Sequence, residues 1–415
     1  MSIKCWKKRR NKLFALFSTC AVLFVISAML IWPQETYQGA LYGLELWGTI
    51  LVPSLLPFFI IAEIMLNLGI VNMLGVLLEP LMRPLFYLPG SASFVLAMGF
   101  TSGFPMGAVL TKRLHEEKAC TRSEAERLIA FTNNASPLFL MVAVAVGMFQ
   151  QASLGLLLLL SHYLANIILG IFLGIKARLK EQHRGKKQKR NQYPGSSLLL
   201  QSIHALLKAQ QKRKPWGQLL SDAIKSGINT ICLIGGFVII YAVLIKVLQV
   251  TSLLTFCQYP CSVFLQICGL DSSLDLSLAT GFWEMTLGLK KISSTTASFP
   301  EKAIIASILL GWSGLSIQSQ VTGVLSGSGI NPRLYYQGRI IQGLLSGLLT
   351  YLLILNGNWL TPLSTPTLTP QPSPSPFLPL FTFNFLYLSK FFYLAMFILF
   401  FISGLTLCLN YFLKK

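Results

Sequence analysis

The sequence is poor in charge, and above all in acidic side chains. Charged residues make up 12% of the 415 positions, whereas a soluble domain carries about 25%. Only 14 residues are Asp or Glu, against 34 that are Lys or Arg. This shortage excludes an ordinary soluble domain. Apolar runs of about 20 residues recur instead, and a run of that length can cross a bilayer. These runs predict a polytopic integral membrane protein.

Motifs of catalysis and of metal binding are also missing. The chain has no GxSxG, HExxH or Walker A motif and no CxxC pair, so we expect neither an enzyme nor a nucleotide-driven pump. The clustered cysteines Cys257, Cys261 and Cys268 have no histidine near them in sequence. We therefore expect no metal site and no cofactor.

Lysine and arginine are concentrated in short segments between the apolar runs. Such segments are typical of cytoplasmic loops, so the net charge of +20 does not indicate a nucleic-acid partner. The basic residues of 1–12 precede an apolar run at 13–32, which predicts an uncleaved first helix with a cytoplasmic N-terminus. The basic segment 176–214 predicts a cytoplasmic linker that contacts the headgroups of the lipid bilayer.

These runs divide the chain into six parts and predict an all-α polytopic membrane protein with about 8–12 membrane segments. The parts are a basic flank with the first transmembrane helix (1–46), a first repeat (47–175), a basic cytoplasmic linker (176–218), a second repeat (219–355), a Pro/Ser/Thr-rich linker (356–383) and a C-terminal transmembrane helix (384–415). Some segments are expected to be broken helices or re-entrant hairpins. Whether 69–111 spans twice or re-enters stays open.

Similar stretches recur in the two halves at an offset near 180 residues. GFTSGFPMG begins at Gly99 and GFWEMTLGL begins at Gly281, while FTNNASP at 131–137 pairs with GWSGLSIQSQ at 311–320. Counting segments from a cytoplasmic N-terminus gives the two halves opposite orientations. Inverted repeats are typical of secondary transporters, which bind their substrate where the halves meet.

Glycine, proline and polar residues inside the apolar runs are the candidate site. They predict helix breaks, and the free N–H groups at a break attract anions. The predicted break residues are Gly99, Gly103, Pro105, Gly107 and Pro137. Close helix packing is an alternative role for the glycines.

The predicted substrate contacts are polar side chains at these breaks. They are Ser102, Asn133, Asn134, Ser136, Ser313 and Gln318. The carboxylates of Glu284 and Glu63 lie within apolar runs and are candidates for ion coupling or proton relay. His162 either relays a proton or forms an interhelical hydrogen bond.

Several stretches resemble a known family. The runs at 57–90, 94–108 and 124–139, with the SHY triplet at 161–163, resemble the sporulation integral membrane proteins of the YlbJ type, within the broader nucleoside recognition or Gate-domain group. The resemblance is dense over 47–175 and looser over 219–355. It implies two Gate-like repeats in a multi-pass protein of the outer forespore membrane, which moves dipicolinic acid out of the mother cell.

Two alternatives to that function remain. The Gate label implies nucleosides or related small solutes, and Asn, Gln and Ser side chains with Phe131 or Trp312 would suit these equally. A non-transporting scaffold that recruits other sporulation membrane proteins is the alternative of a different class. The scaffold would depend on the 176–214 linker, whereas a transporter would depend on the intramembrane polar residues.

Overall fold

The computed structural model of the protein describes residues 16, 19–182, 198–210 and 215–355. Helices account for most of these residues, and no strand occurs among them, which confirms the predicted all-α class. Several predicted features lie outside the described residues. They are the basic flank at 1–12, the centre of the basic linker at 183–197, the Pro/Ser/Thr-rich linker and the C-terminal transmembrane helix.

Helices α1 (Thr19–Ile31) and α2 (Pro33–Leu46) open the described chain and are bent by 106° relative to each other. The predicted first apolar run ends at Trp32, and Pro33 then begins α2, because the fixed φ of proline and its missing N–H suit the first turn of a helix. Gly39 and Gly43 of α2 lie against the backbone and side chains of a later helix that contains Ala242.

The rest of the described chain has the same order of elements twice. The first set is π1 (Trp47–Leu51), α3 (Val52–Asn67), α4 (Ile70–Phe86), α5 (Ala92–Ser102), α6 (Met106–Glu116), α7 (Arg122–Thr132), π2 (Phe139–Met148) and α8 (Ala152–Gln182). After α9 (Leu198–Gln210), the second set is α10 (Trp216–Val250), α11 (Leu253–Cys268), α12 (Asp275–Trp283), α13 (Met285–Ser293), α14 (Phe299–Trp312), α15 (Gly314–Leu325) and α16 (Arg333–Leu355). A 3₁₀ turn (Ser272–Leu274) precedes α12.

Each set contains a proline-bearing helix, a hairpin of two short helices, a helix interrupted by a break and a long final helix. Prolines lie inside α4 and α11, and the hairpins are α5–α6 and α12–α13. A capping box of Thr121 and Glu124 begins α7. Its counterpart, Ser298 with Glu301, begins α14, so the two interrupted helices start in the same way.

Four described helices are long and apolar enough to cross a membrane: Ala152–Lys180, Trp216–Val250, Phe299–Leu325 and Arg333–Leu355. The bent α1–α2 pair is a fifth candidate if it forms one span. Helices α5 and α6 have 11 residues each, or about 16 Å, roughly half of the hydrocarbon core. Neither can cross the bilayer alone, and this favours re-entry over a double span.

One large cluster of buried apolar side chains joins the two sets of helices. It includes Phe94, Leu128 and Leu140 from the first set and Leu289 and Leu309 from the second. The hairpins and interrupted helices of both sets therefore pack into one common core, and their breaks lie inside it.

Candidate functional site

Four helix breaks come together in the core. Helix α5 ends at Ser102 and α6 begins at Met106, while α7 ends at Thr132 and the helical path resumes at Pro137. In the second set, Glu284 separates α12 from α13, and Ser313 separates α14 from α15. Three of these breaks line a single cavity, to which α15 adds Ile317 and Gln320 from just after the fourth.

The cavity is small and lies between the two sets of helices. Its volume is about 50 Å³, which is room for a few water molecules, whereas ligand pockets usually measure about 300–1,000 Å³. Gly103 and Ser136 line it on one side and Glu284 on the other, with Leu51 and Ile234 among the apolar side chains. A ring-sized solute fits only if these walls move apart.

The glycines of the α5–α6 hairpin allow close contact with α7. A Cβ atom on Gly99 would lie 2.1 Å from the carbonyl oxygen of Thr132, and one on Gly107 would lie 2.5 Å from the same atom. Gly103 has φ of +82°, which favours glycine. Pro105, after a cis peptide bond, precedes the first residue of α6. Gly99 and Gly107 are therefore packing residues, while Gly103 also borders the cavity.

Side chains from distant helices hold the backbone of the 133–137 break. His162 Nε2 accepts a hydrogen bond from the Ala135 N–H at 3.3 Å, and the Tyr163 hydroxyl lies 2.9 Å from the Ala135 carbonyl oxygen. The same hydroxyl lies 2.6 Å from the carbonyl oxygen of Phe100 in α5. His162 therefore forms an interhelical hydrogen bond. Ser136 Oγ accepts from the N–H of Phe139 at 3.2 Å, which caps the helix that follows Pro137.

The predicted contact residues Asn133, Asn134 and Ser102 are fully buried behind the cavity wall. Asn133 Nδ2 donates to the Tyr335 hydroxyl at 3.2 Å, and Asn134 Nδ2 donates to the Phe131 carbonyl at 3.0 Å. Both Oδ1 atoms and the Ser102 hydroxyl lack a hydrogen-bond partner among the described residues. Buried polar atoms are seldom left without partners, so these three atoms are acceptors available to a ligand or to water.

Glu284 borders the cavity and is 2% exposed. Its Oε2 accepts the Leu287 N–H at 2.7 Å, so it caps the start of α13. None of the described Lys and Arg side chains forms an ion pair with it. Among the described residues, no group of three or more His, Cys, Asp or Glu side chains could hold a metal ion.

Glu63 lies in a different environment, away from the cavity. Its Oε1 accepts from Arg113 Nη1 at 2.7 Å and from Asn67 Nδ2 at 3.1 Å. Ser226 of α10 donates to its Oε2 at 3.3 Å. Glu63 thus connects α3, α6 and α10.

The break between α14 and α15 is held mainly by its own neighbours. Ser313 and Gly314 both have positive φ, +71° and +73°. Gln318 Nε2 donates to the Trp312 carbonyl at 3.0 Å, and Trp312 Nε1 donates to the Phe282 carbonyl at 3.0 Å. Ser313 and Gln318 are buried but do not line the cavity.

A stripe of buried polar side chains on α16 was not predicted from the sequence. Its members are Tyr335, Arg339, Gln342, Ser346 and Thr350, all 0% exposed. They face the C-terminal end of α7 as well as α8 and α14. Gln342 approaches His162 of α8 at 3.4 Å, and Thr350 donates to Ser307 of α14 at 2.6 Å. Their spacing of three or four residues in an apolar run is the signal that would have revealed them.

The fold and the cavity define a polytopic helical membrane protein in which two sets of interrupted helices meet. A family model, "Gate: Nucleoside recognition", matches residues 49–152, which contain both first-set breaks. The chain is 41% identical over 343 residues to "Sporulation integral membrane protein YlbJ" of Bacillus subtilis (strain 168), an alignment covering 83% of each chain. The chain belongs to that family, and the resemblance seen in the sequence is confirmed.

A second relative is more distant. It is an uncharacterized protein of Alkalihalophilus pseudofirmus, 30% identical over 135 residues, which are 32% of this chain and 27% of that one. No solved structure matches the chain significantly.

Proposed function

We propose that this protein is a secondary-type transporter. The observation that carries the proposal is the cavity itself, because helix breaks from both sets of elements line it. Breaks expose backbone N–H and C=O groups that membrane lipid cannot satisfy, so interrupted helices are tolerated where they are buried in protein or line a water-filled space. Two such sets of opposite orientation would let the protein open the site to each side in turn.

The proposed substrate is a small aromatic dicarboxylate, dipicolinic acid. The family relationship supports a role in sporulation, and we propose the outer forespore membrane as the location and the mother cell as the source of the substrate. The N-terminal end of α13 adjoins the cavity through Met285 and Thr286, and helix N-termini favour anions. The protein would lie in the lipid bilayer, and other sporulation membrane proteins are its candidate partners.

Glu284 is the proposed coupling residue. An anion next to an ionised carboxylate is repelled, so substrate binding favours the protonated form of Glu284. Substrate and proton would then cross together. Glu63 is the weaker candidate, since it is paired with Arg113 and lies outside the cavity wall.

Flux across proteoliposomes tests the transporter directly. We expect saturable uptake of dipicolinate by the purified protein and at least a tenfold loss in Asn133→Ala, because the break would lose one of its two asparagines. Thr49→Ala, whose exposed hydroxyl bonds only within its own helix, is the matched control and should transport normally. Normal uptake by Asn133→Ala would remove that residue from the site.

Nucleosides and a scaffold remain the competing functions. Uptake of a nucleoside in the same assay tests the first alternative. If the protein carried the nucleoside and not dipicolinate, it would be a transporter with a different substrate. Exchange of the 176–214 linker for a neutral one tests the second alternative, the scaffold. A scaffold predicts failed sporulation after that exchange and normal sporulation with Asn133→Ala. Neither proposal includes an enzymatic activity.

A further inference from the structure

Arg339 is a buried cation close to the cavity. It is 0% exposed and belongs to the membrane-spanning candidate Arg333–Leu355. Its Nη1 donates to the Asn133 carbonyl and its Nη2 to the Ala130 carbonyl, both at 2.9 Å. Its Nε has no hydrogen-bond partner among the described residues. None of the described Asp and Glu side chains forms an ion pair with it.

Such a charge is costly in a membrane interior unless something compensates for it. The two carbonyls provide part of the compensation, because they belong to the C-terminal end of α7, where the helix dipole is negative. None of the described carboxylates neutralises the remainder. In surroundings of low polarity the field of a charge extends further than in water.

The 133–137 break connects Arg339 to the wall of the cavity. Asn133, which Arg339 contacts, is two residues from Ala135, and Ala135 lines the cavity. Glu284 is the only ionisable side chain among the lining residues. The first-set wall is therefore backed by a fixed cation, while the second-set wall carries a carboxylate that can be neutralised by a proton.

We propose that Arg339 determines the charge specificity of the site, so that anionic substrates are favoured over neutral ones. The guanidinium acts from behind the wall and does not touch the substrate. This inference rests on the proposed transport function. It predicts an effect on anions alone, whereas a residue that only supported α7 would affect every substrate alike.

The test compares two solutes with the same ring, pyridine-2,6-dicarboxylate and the uncharged pyridine-2,6-dicarboxamide, in proteoliposomes. Arg339→Gln keeps an N–H donor for a carbonyl but loses the charge. We expect the uptake ratio of dicarboxylate to dicarboxamide to fall by about tenfold, through a higher KM for the anion. Arg339→Lys keeps the charge and should keep the ratio within about threefold.

Arg127 provides a matched control on α7, the helix whose C-terminal end Arg339 contacts. It is also buried, but it donates to the Tyr87 carbonyl and the Ser123 hydroxyl, away from the cavity. Arg127→Gln should leave the ratio unchanged.

Two results would count against the inference. An unchanged uptake ratio in Arg339→Gln would overturn it, whether the uptake of both solutes fell equally or neither fell. Should Arg339→Gln fail to fold, loss of the anion preference in Arg339→Lys would overturn it too. Absence of uptake by the unmodified protein would refute the transport function itself, a different failure.

Discussion

The 133–137 break and the Ser313 break occupy corresponding places in the two sets of helices, yet they are held differently. The first is extended, with Asn133 at φ −91° and ψ 91°, and its peptide groups are bonded to α8 and α16. The second is one non-helical residue, Ser313, which shares its left-handed φ with Gly314 at the start of α15. Its hydrogen bonds come from α15 and α12 of its own set.

The difference separates the features that the two sets of helices share from those that they do not. Capping boxes, hairpins and the positions of the breaks occur in both sets, because local sequence determines them. The tertiary hydrogen bonds to Arg339, His162 and Tyr163 occur at the first break alone among these described contacts. We infer that the first break is the fixed wall of the site and that the second moves more easily.

The largest expected effect comes from glycines at the two hairpins. Gly99→Ala places a methyl group 2.1 Å from a backbone oxygen, whereas Gly281→Ala meets the side chain of Leu309, which can yield. We expect Gly99→Ala to prevent recovery of folded protein and Gly281→Ala to lower its thermal midpoint moderately. Gly236→Ala, with nothing nearby, should be neutral or slightly stabilising. Equal stability of the first two would remove the distinction between a rigid and a yielding hairpin.

The next effect concerns transport and compares the breaks directly. Asn133→Ala should reduce uptake in the flux assay at least tenfold, and Ser313→Ala about threefold or less, because Ser313 makes only long hydrogen bonds of 3.5 Å to nearby carbonyls. Membrane abundance measured by immunoblot should be equal for both. A greater loss for Ser313→Ala would place the critical contacts in the second set instead.

Tyr163→Phe tests the attachment of the first break to α8. It leaves the Ala135 and Phe100 carbonyls without their hydroxyl donor, and we expect a loss of about 1–3 kcal/mol in the free energy of unfolding. Denaturant titration in detergent measures it. Trp312→Phe, the corresponding change at the second break, should cost about 0.5–1.5 kcal/mol. Tyr351→Phe, on an exposed side chain, is the control, and a similar loss there would indicate a nonspecific effect.

The smallest expected effect is that of Glu63→Gln. Its ion pair with Arg113 is partly exposed, with side chains 18% and 36% accessible, so we expect a loss near 1 kcal/mol or less. Glu126→Gln removes the pair with Arg122 and is the control.

Uptake driven by an acid gradient should survive Glu63→Gln and be lost in Glu284→Gln. The reverse outcome would transfer the coupling role to Glu63.

The sequence could predict the features that depend on local chemistry. Glycine and proline in GFTSGFPMG indicated an interruption, and the chain does leave the helix after Ser102. The Thr121–Glu124 capping box is likewise a matter of four adjacent residues. The π-helices have no comparable signature, and neither does the length of α5, so the sequence left open whether this region spans or re-enters.

Features that depend on distant partners were beyond the sequence. Arg339 bonds to carbonyls 206 and 209 residues away. Every residue has a backbone carbonyl, so the sequence does not show which of them is the partner. Glu63 stood out for its apolar neighbours, but its partner Arg113 is 50 residues away. Which buried carboxylate borders the cavity and which is paired is determined by tertiary packing.

The smallness of the cavity has a kinetic consequence. A channel carries many ions for each opening, whereas a protein whose cavity is this small must rearrange once for every molecule carried. Under the proposed function, its turnover number would be limited by collective helix motions, which take microseconds to milliseconds or longer. Uptake would then rise steeply with temperature and would slow markedly once the lipid entered its gel phase.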